Sequence, residues 1–329
     1  MAISVAEAYP LLWHYTTATG LYGIIRSQQL WATNIFYLND GEEFSGFFDR
    51  KLIHLLEDGV REGITEKSMT VEGRKFLDAK GGAEFVQHQL PNQLLAGLRA
   101  ATLKLNAYVT SFCHTKSGFA TEDGLLSQWR GYGADGGYAI VFDSQRLSEL
   151  LDAEHRRFFY SFLRFSDVDY HENDVTLEAK HPEALEWEAS IRKVIAGLIV
   201  QPERFDIADQ LFDPMISLST RHKHRGFREE SEVRIVAGTP NELDMEEARK
   251  EGETRQRKPV YFDPRNGVLV PHIALFERPA GEAVTLPIKQ VVVGPHSERL
   301  KRQKAVRLLL DQCGIEADVT TSDIPYLGR

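Results

Sequence analysis

The residues whose types and spacing could support chemistry fall in three short strings. The first, Leu11-Leu12-Trp13-His14-Tyr15-Thr16, is rich in aromatic and β-branched residues and reads as a strand. Side chains alternate across a strand, so Leu12, His14 and Thr16 share one direction while Leu11, Trp13 and Tyr15 share the other. With the apolar trio turned to the core, His14 and Thr16 sit about 7 Å apart on the opposite side, two neutral groups suited to gripping a ribose or an amide. A core-edge histidine satisfied by a backbone carbonyl would use the same residues.

The second string is Phe227-Arg228-Glu229-Glu230-Ser231-Glu232-Val233-Arg234-Ile235-Val236. In an extended segment Glu230, Glu232 and Arg234 share one face. Two carboxylates so placed can divide the work of glycosyl transfer, Glu230 placing a nucleophile and Glu232 stabilising positive charge on a sugar. An ordinary solvent-facing strand with surface ion pairs has the same pattern. The third string, Ser127-Gln128-Trp129-Arg130-Gly131-Tyr132-Gly133, sets a hydroxyl, an amide and a guanidinium among aromatics and glycines. Trp129 or Tyr132 could stack on a ring and Arg130 could contact a pyrophosphate, or the aromatics could simply close a tight turn.

Other signals point away from common chemistries. Arg221-His222-Lys223-His224-Arg225 is a basic run that suits phosphate or a solvated loop. His222 and His224 at i and i+2 would ligate a metal only from a strand, and no compelling further ligands adjoin them, so no metal is expected. No Gly-rich dinucleotide fingerprint, P-loop, G-x-S-x-G elbow or HExxH helix occurs.

The elements that must position these strings can be sketched from periodicity. Thr19 can cap a short helix after the first strand, and Leu30-Trp31-Ala32 resumes an extended run. Residues 39–105 read as helical, interrupted at Gly81-Gly82 and Pro91. Tyr108–Cys113, Gly137–Asp143 and Glu232–Ala237 read as strands, the last half-buried, and a helix begins near Pro182. The stretch 241–258 reads as an exposed loop or frayed helix. Val291-Val292-Val293, a helix over 297–313 closed by Gly314, and Ala317–Thr321 form a C-terminal β-α-β unit. With no Pro/Gly/Ser-rich linker, 1–329 reads as one α+β domain with helical insertions around 42–105 and 144–226.

Composition narrows the class of partner. Lys plus Arg is 39 against 48 Asp plus Glu in 329 residues, a net charge of −9, which disfavours coating nucleic acid or anionic membrane. Cys113 and Cys313 stand far apart, as in a reducing cytosol. No apolar run approaches the roughly 18 residues that cross a bilayer, and the N-terminus lacks a secretory pattern, so an unprocessed cytoplasmic protein with no membrane partner is expected.

The order of strings LLWHYTTATGLYGIIRSQQLWATNIFYLND, YVTSFC, LSQWRGYG, KHRGFREESEVRIV, VVVGP and SDIPY resembles bacterial domain-of-unknown-function family 2971 across nearly the whole chain. The opening string also resembles the first motif of the ADP-ribosyltransferases, particularly the polymerase and RNA 2′-phosphotransferase branches. That resemblance implies a split β-sheet core, NAD as substrate, and His14 and Thr16 holding its adenosine ribose and nicotinamide side. It makes Ser111 the candidate hydroxyl of a second motif and Glu230-Ser231-Glu232 the Glu-x-Glu of a third. With Ser127, Arg130 and Tyr132 as further NAD contacts, an NAD-dependent ADP-ribosyltransferase or NAD glycohydrolase is expected, a role that would suit a toxin or phage-defence effector. Its acceptor, protein or nucleic acid, and its oligomeric state are not readable. The alternatives are a non-catalytic nucleotide-sensing or interaction module and, further off, a metal-dependent nuclease using His222 and His224.

Overall fold

The computed structural model describes residues 4–38, 46–102, 106–114, 120–132, 136–171, 182–204, 207–265, 267–277 and 284–325. The chain separates into two compact units, one built from 1–38, 106–167 and 226–329 and the other from 39–105 and 168–225. Residues 144–167, expected within an insertion, instead belong to the sheet-bearing first unit, because Phe162–Asp167 is one of its strands. The architecture is α+β with a mixed sheet.

The first unit's large sheet contains β1 (Leu11–Thr16), β2 (Leu30–Asn34), β3 (Asn106–Cys113), β4 (Tyr138–Asp143), β6 (Phe162–Asp167), β9 (Glu232–Thr239), β11 (Tyr261–Arg265), β12 (Val268–Leu275), β13 (Ile288–Val293) and β14 (Asp318–Thr321). A two-residue pair, β5 (Phe158–Phe159) with β10 (Gln256–Arg257), lies outside it. Along one edge β3 pairs with β9 from Asn106 to Cys113. Its other edge is shared. β2 pairs with it at Val109 and Tyr108, whereas β1 meets it only at Cys113, opposite Trp13. The sheet therefore splits beside Thr110, Ser111 and Phe112, with β2, β12 and β11 on one arm and β1, β4, β13 and β14 on the other. β13 and β14 are parallel and joined by the helix Arg299–Cys313, which gives the expected C-terminal β-α-β unit.

Both sheet faces are covered around β1, contrary to the reading that gave it one apolar and one polar face. Leu12 belongs to the main core with Phe112, Ile140, Phe142 and Val233. Trp13 and Tyr15 point the other way into a second cluster with Cys113, Trp129, Ala139, Val141 and Val292. The cause is packing on both faces: the main core lies against Leu12 and the second cluster, which includes Trp129, lies against Trp13 and Tyr15. β9 is likewise buried at all eight positions, not half-buried: Val233, Ile235 and Ala237 enter the main core, and Glu232 and Arg234 on the other face are buried as an ion pair.

The second unit is mainly helical. Helices Ile53–Thr65 and Pro182–Val200 approach closely because Gly59 and Gly63 face the backbone carbonyls of Arg192 and Ala196, where a Cβ would lie 2.8 and 2.9 Å from oxygen. Lys51 is buried with Glu188 at 2.9 Å. Gly81 and Gly82 end a helix with positive φ as expected, whereas Pro91 lies inside the helix Ala83–Thr102. The basic run is not a solvated loop throughout. His222–His224 forms β8, which pairs with β7 (Asp169–His171), and Arg221, His222 and Lys223 are buried.

Candidate functional site at the split of the sheet

The split leaves the carbonyl of Ser111 on an edge of β3 where no strand continues, and His14 takes it. Nδ1 of His14 lies 3.0 Å from that oxygen. A carbonyl can only accept, so Nδ1 carries the hydrogen and Nε2 of the neutral ring is an acceptor. Burial holds the His14 pKa below its ordinary value, opposed by the Ser111 bond, so the neutral ring dominates at pH 7. Its ring lies 5.7 Å from that of Phe112. Thr16 ends β1 half-buried, and Gly20 of the helix Ala18–Ser27 cannot carry a side chain without displacing its hydroxyl.

Register decides which residues share a face. Trp13 stands opposite Cys113 and Cys113 opposite Glu232, so Glu232 projects on the Trp13 and Tyr15 face. Ser111 is opposite Arg234, and so is Ser166 of β6, which adds two hydroxyls to that face. His14, one residue along, projects with Leu12 and Phe112 on the other. The structure thus joins His14 to the backbone of Ser111, and Ser111 to the Glu232 strand, while His14 and Glu232 lie on opposite sheet faces.

Glu232 is 5% exposed and accepts two hydrogen bonds from Arg234, Nε at 2.7 Å and Nη2 at 2.9 Å. This bidentate pair fixes both side chains and neutralises the carboxylate locally. Glu230 does not share its face as expected. The strand begins at Glu232, Ser231 has φ of 45°, and Glu230 closes the 3-10 turn Arg225–Glu230. Left-handed backbone at Ser231 breaks the alternation on which the shared face depended.

The Ser127 string is a helix, Leu126–Tyr132, rather than a loop. Gln128 and Trp129 are buried, Arg130 and Tyr132 are exposed, and the Ser127 hydroxyl is buried with no hydrogen-bond partner among the described residues. Trp129 meets Tyr15 edge-on at 4.8 Å and donates from Nε1 to the Asp123 carbonyl. The Tyr15 hydroxyl accepts the Leu125 N–H at 2.8 Å, and burial raises its pKa. A Cβ on Gly294 would overlap the Gly136 carbonyl. Ser322 donates to the Asp123 carbonyl at 2.8 Å and its N–H bonds Val293. Five of the separated sequence strings thus meet around Trp13, Tyr15 and Trp129, where their clearest task is packing. Gly133 lies outside the described residues.

Sequence reasoning did not single out Trp31, stacked on His272 at 4.2 Å, or Lys258, fully buried against Glu154 at 2.7 Å. The Trp31 signal was present as an aromatic in a strand. Lys258 carried none, because it closes the charged run Arg255-Gln256-Arg257-Lys258, which reads as solvated. Among the described residues no group of three His, Cys, Asp or Glu side chains could hold a metal ion, and no helix is long and apolar enough to cross a membrane.

Fold and site together define an α+β protein with a split mixed sheet and a neutral histidine anchored at the split. Residues 128–235 match the family described as "Protein of unknown function (DUF2971)". Comparisons with curated proteins and with solved structures give no match.

Proposed function

We propose that the chain binds NAD, or a nucleotide like it, at the split beside His14 and breaks the bond between nicotinamide and ribose, passing ADP-ribose to an acceptor or to water. The observation that carries this reading is the anchored histidine. With Nδ1–H committed to Ser111, Nε2 is set to accept from a ribose hydroxyl and fix the sugar. In the reaction the C–N electron pair leaves on nicotinamide, positive charge develops on the ribose, and the acceptor oxygen or nitrogen adds to the same carbon and loses its proton. Glu232 supplies the stabilising carboxylate, Thr16 and Ser111 assist in holding NAD, and Arg130, Tyr132 and Ser127 border the ligand. Glu230, on its separate turn, orients a protein or nucleic-acid acceptor in this reading. A toxin or defence effector is a role that such chemistry would serve.

One observation favours a second reading, in which the nucleotide is bound without turnover. A carboxylate already held by a bidentate guanidinium, on the face opposite His14, has little charge to spare for a cation. Incubation with NAD separates the two. Nicotinamide release that falls at least tenfold in His14→Ala supports the enzyme, a rise in thermal midpoint with NAD but no nicotinamide supports the sensor, and neither effect rejects both.

A further inference from the structure

On the face that carries Ser111, the β2 arm of the split ends in a row of rings. Tyr261 of β11 is opposite His272 of β12, and His272 is opposite Thr33 of β2, whose same-face neighbour is Trp31. The Trp31 and His272 rings are 4.2 Å apart at 27°, and Tyr261 and His272 are 6.0 Å apart at 35°. His272 is buried, and burial lowers its pKa, so it is a neutral member of the row. Trp31 nevertheless remains 47% exposed.

A tryptophan stacked on one side and half open demands an account, since exposed indole area is costly and recurs where flat ligands bind. Continuing the β2–β3 register from Thr33 opposite Val109 brings Trp31 level with Ser111. There, however, the strands have stopped pairing. At this level the Thr110 hydroxyl donates to the Trp31 carbonyl at 2.9 Å and fixes the backbone of the arm. His272 stacks on the indole from the β12 side, so its other side is the one toward β3, where half-buried Ser111 stands level with it on the same sheet face.

We infer that this gap is a stacking slot for a planar heterocyclic ring, with Trp31 as its face, His272 and Tyr261 bracing that face, and the Ser111 hydroxyl as its hydrogen-bonding wall. The inference rests on reading the split as a nucleotide site and goes further: it names the group that enters, adenine or nicotinamide, and the residue that selects for it. Base–aromatic stacking is worth roughly ten- to a hundredfold in affinity for one ring. The slot is braced before the ligand arrives, which limits the ordering cost of binding.

The test is calorimetric titration of the full chain with adenosine, with nicotinamide and with NAD, on wild type, Trp31→Leu and Trp31→Phe, with nicotinamide release from NAD measured alongside. One of the two free rings is expected to bind wild type and to lose at least tenfold in affinity in Trp31→Leu. Trp31→Phe, which keeps a flat face, should recover most of it, and whichever of adenosine or nicotinamide responds identifies the ring. If NAD binds or turns over equally well in wild type and Trp31→Leu, the slot is wrong while the nucleotide reading stands. If neither free ring binds wild type, the slot is wrong whatever NAD does. A Trp31→Leu chain with an unchanged thermal midpoint shows that lost affinity is not lost folding.

Discussion

The imidazole of His14 has its hydrogen position set by a backbone carbonyl and its charge state set by burial, and both make it titrate visibly. Its folded pKa is depressed, so the unfolded chain takes up a proton first. The stability it contributes is complete above the unfolded value of about 6.5 and is lost as pH falls below that towards the folded value. Nucleotide affinity should fall at lower pH still, below the depressed folded value, because only there does protonation of the native ring remove the Nε2 acceptor; a His14→Gln chain should show a flat profile there. Glu232 behaves differently. It was readable as a candidate carboxylate from Glu-x-Glu spacing, but not its bidentate pairing with Arg234, which depends on burial by strands far away in sequence. Glu232→Gln leaves a guanidinium buried with half its partner, and should cost about 3 kcal/mol in chemical denaturation. An unchanged midpoint would show the pair to be solvated. That loss must be subtracted before any activity change is assigned to catalysis.

Among the elements, β1 shows what pattern can and cannot reveal. Alternation correctly sorted its side chains into two sets and revealed β9, while β3, β4 and β13 were legible from short apolar runs and β14 from its place in the C-terminal β-α-β unit. That both faces of β1 are covered was not legible, since it depends on what packs above and below the sheet, and that is a property of the whole fold. The split was expected only through resemblance; no local signal says that β2 and β1 share one edge of β3. Around the second cluster, Gly294 has no room for a side chain because the Gly136 carbonyl occupies it. Gly294→Ala should therefore lower stability by several kcal/mol, on the order of the strain and repacking costs of a core backbone shift. Gly97, within a helix and with nothing near its missing Cβ, is the control: Gly97→Ala should raise stability by about 0.5–1 kcal/mol. Thermal unfolding of the two variants beside wild type checks both signs.

At the scale of the whole molecule, the chain interleaves its two units, so that segments distant in sequence complete each one. Residues 128–235 carry the family match but supply β4, β6 and only the first half of β9, without β1, which pairs with β4, or β3, which pairs with β9. Expressed alone, that segment should not fold; a cooperative, soluble 128–235 fragment would contradict the architecture. Lys258 and Glu154 make a similar long-range closure, both fully buried, with Tyr160 donating to Glu154 at 2.8 Å. Lys258→Met should destabilise by about 3–5 kcal/mol by stranding the carboxylate, and adding Glu154→Gln should recover much of it, a coupling that a double-mutant cycle reads directly. The central claim concerns the split itself and the ring nitrogen that faces it. Nitrogen-15 NMR of the His14 side chain during titration with NAD tests it most directly. The account predicts an Nδ1–H tautomer before and after, with the Nε2 resonance shifting as it accepts a ribose hydroxyl; an Nε2–H tautomer, or an Nε2 signal unmoved when NAD is saturating, would contradict it.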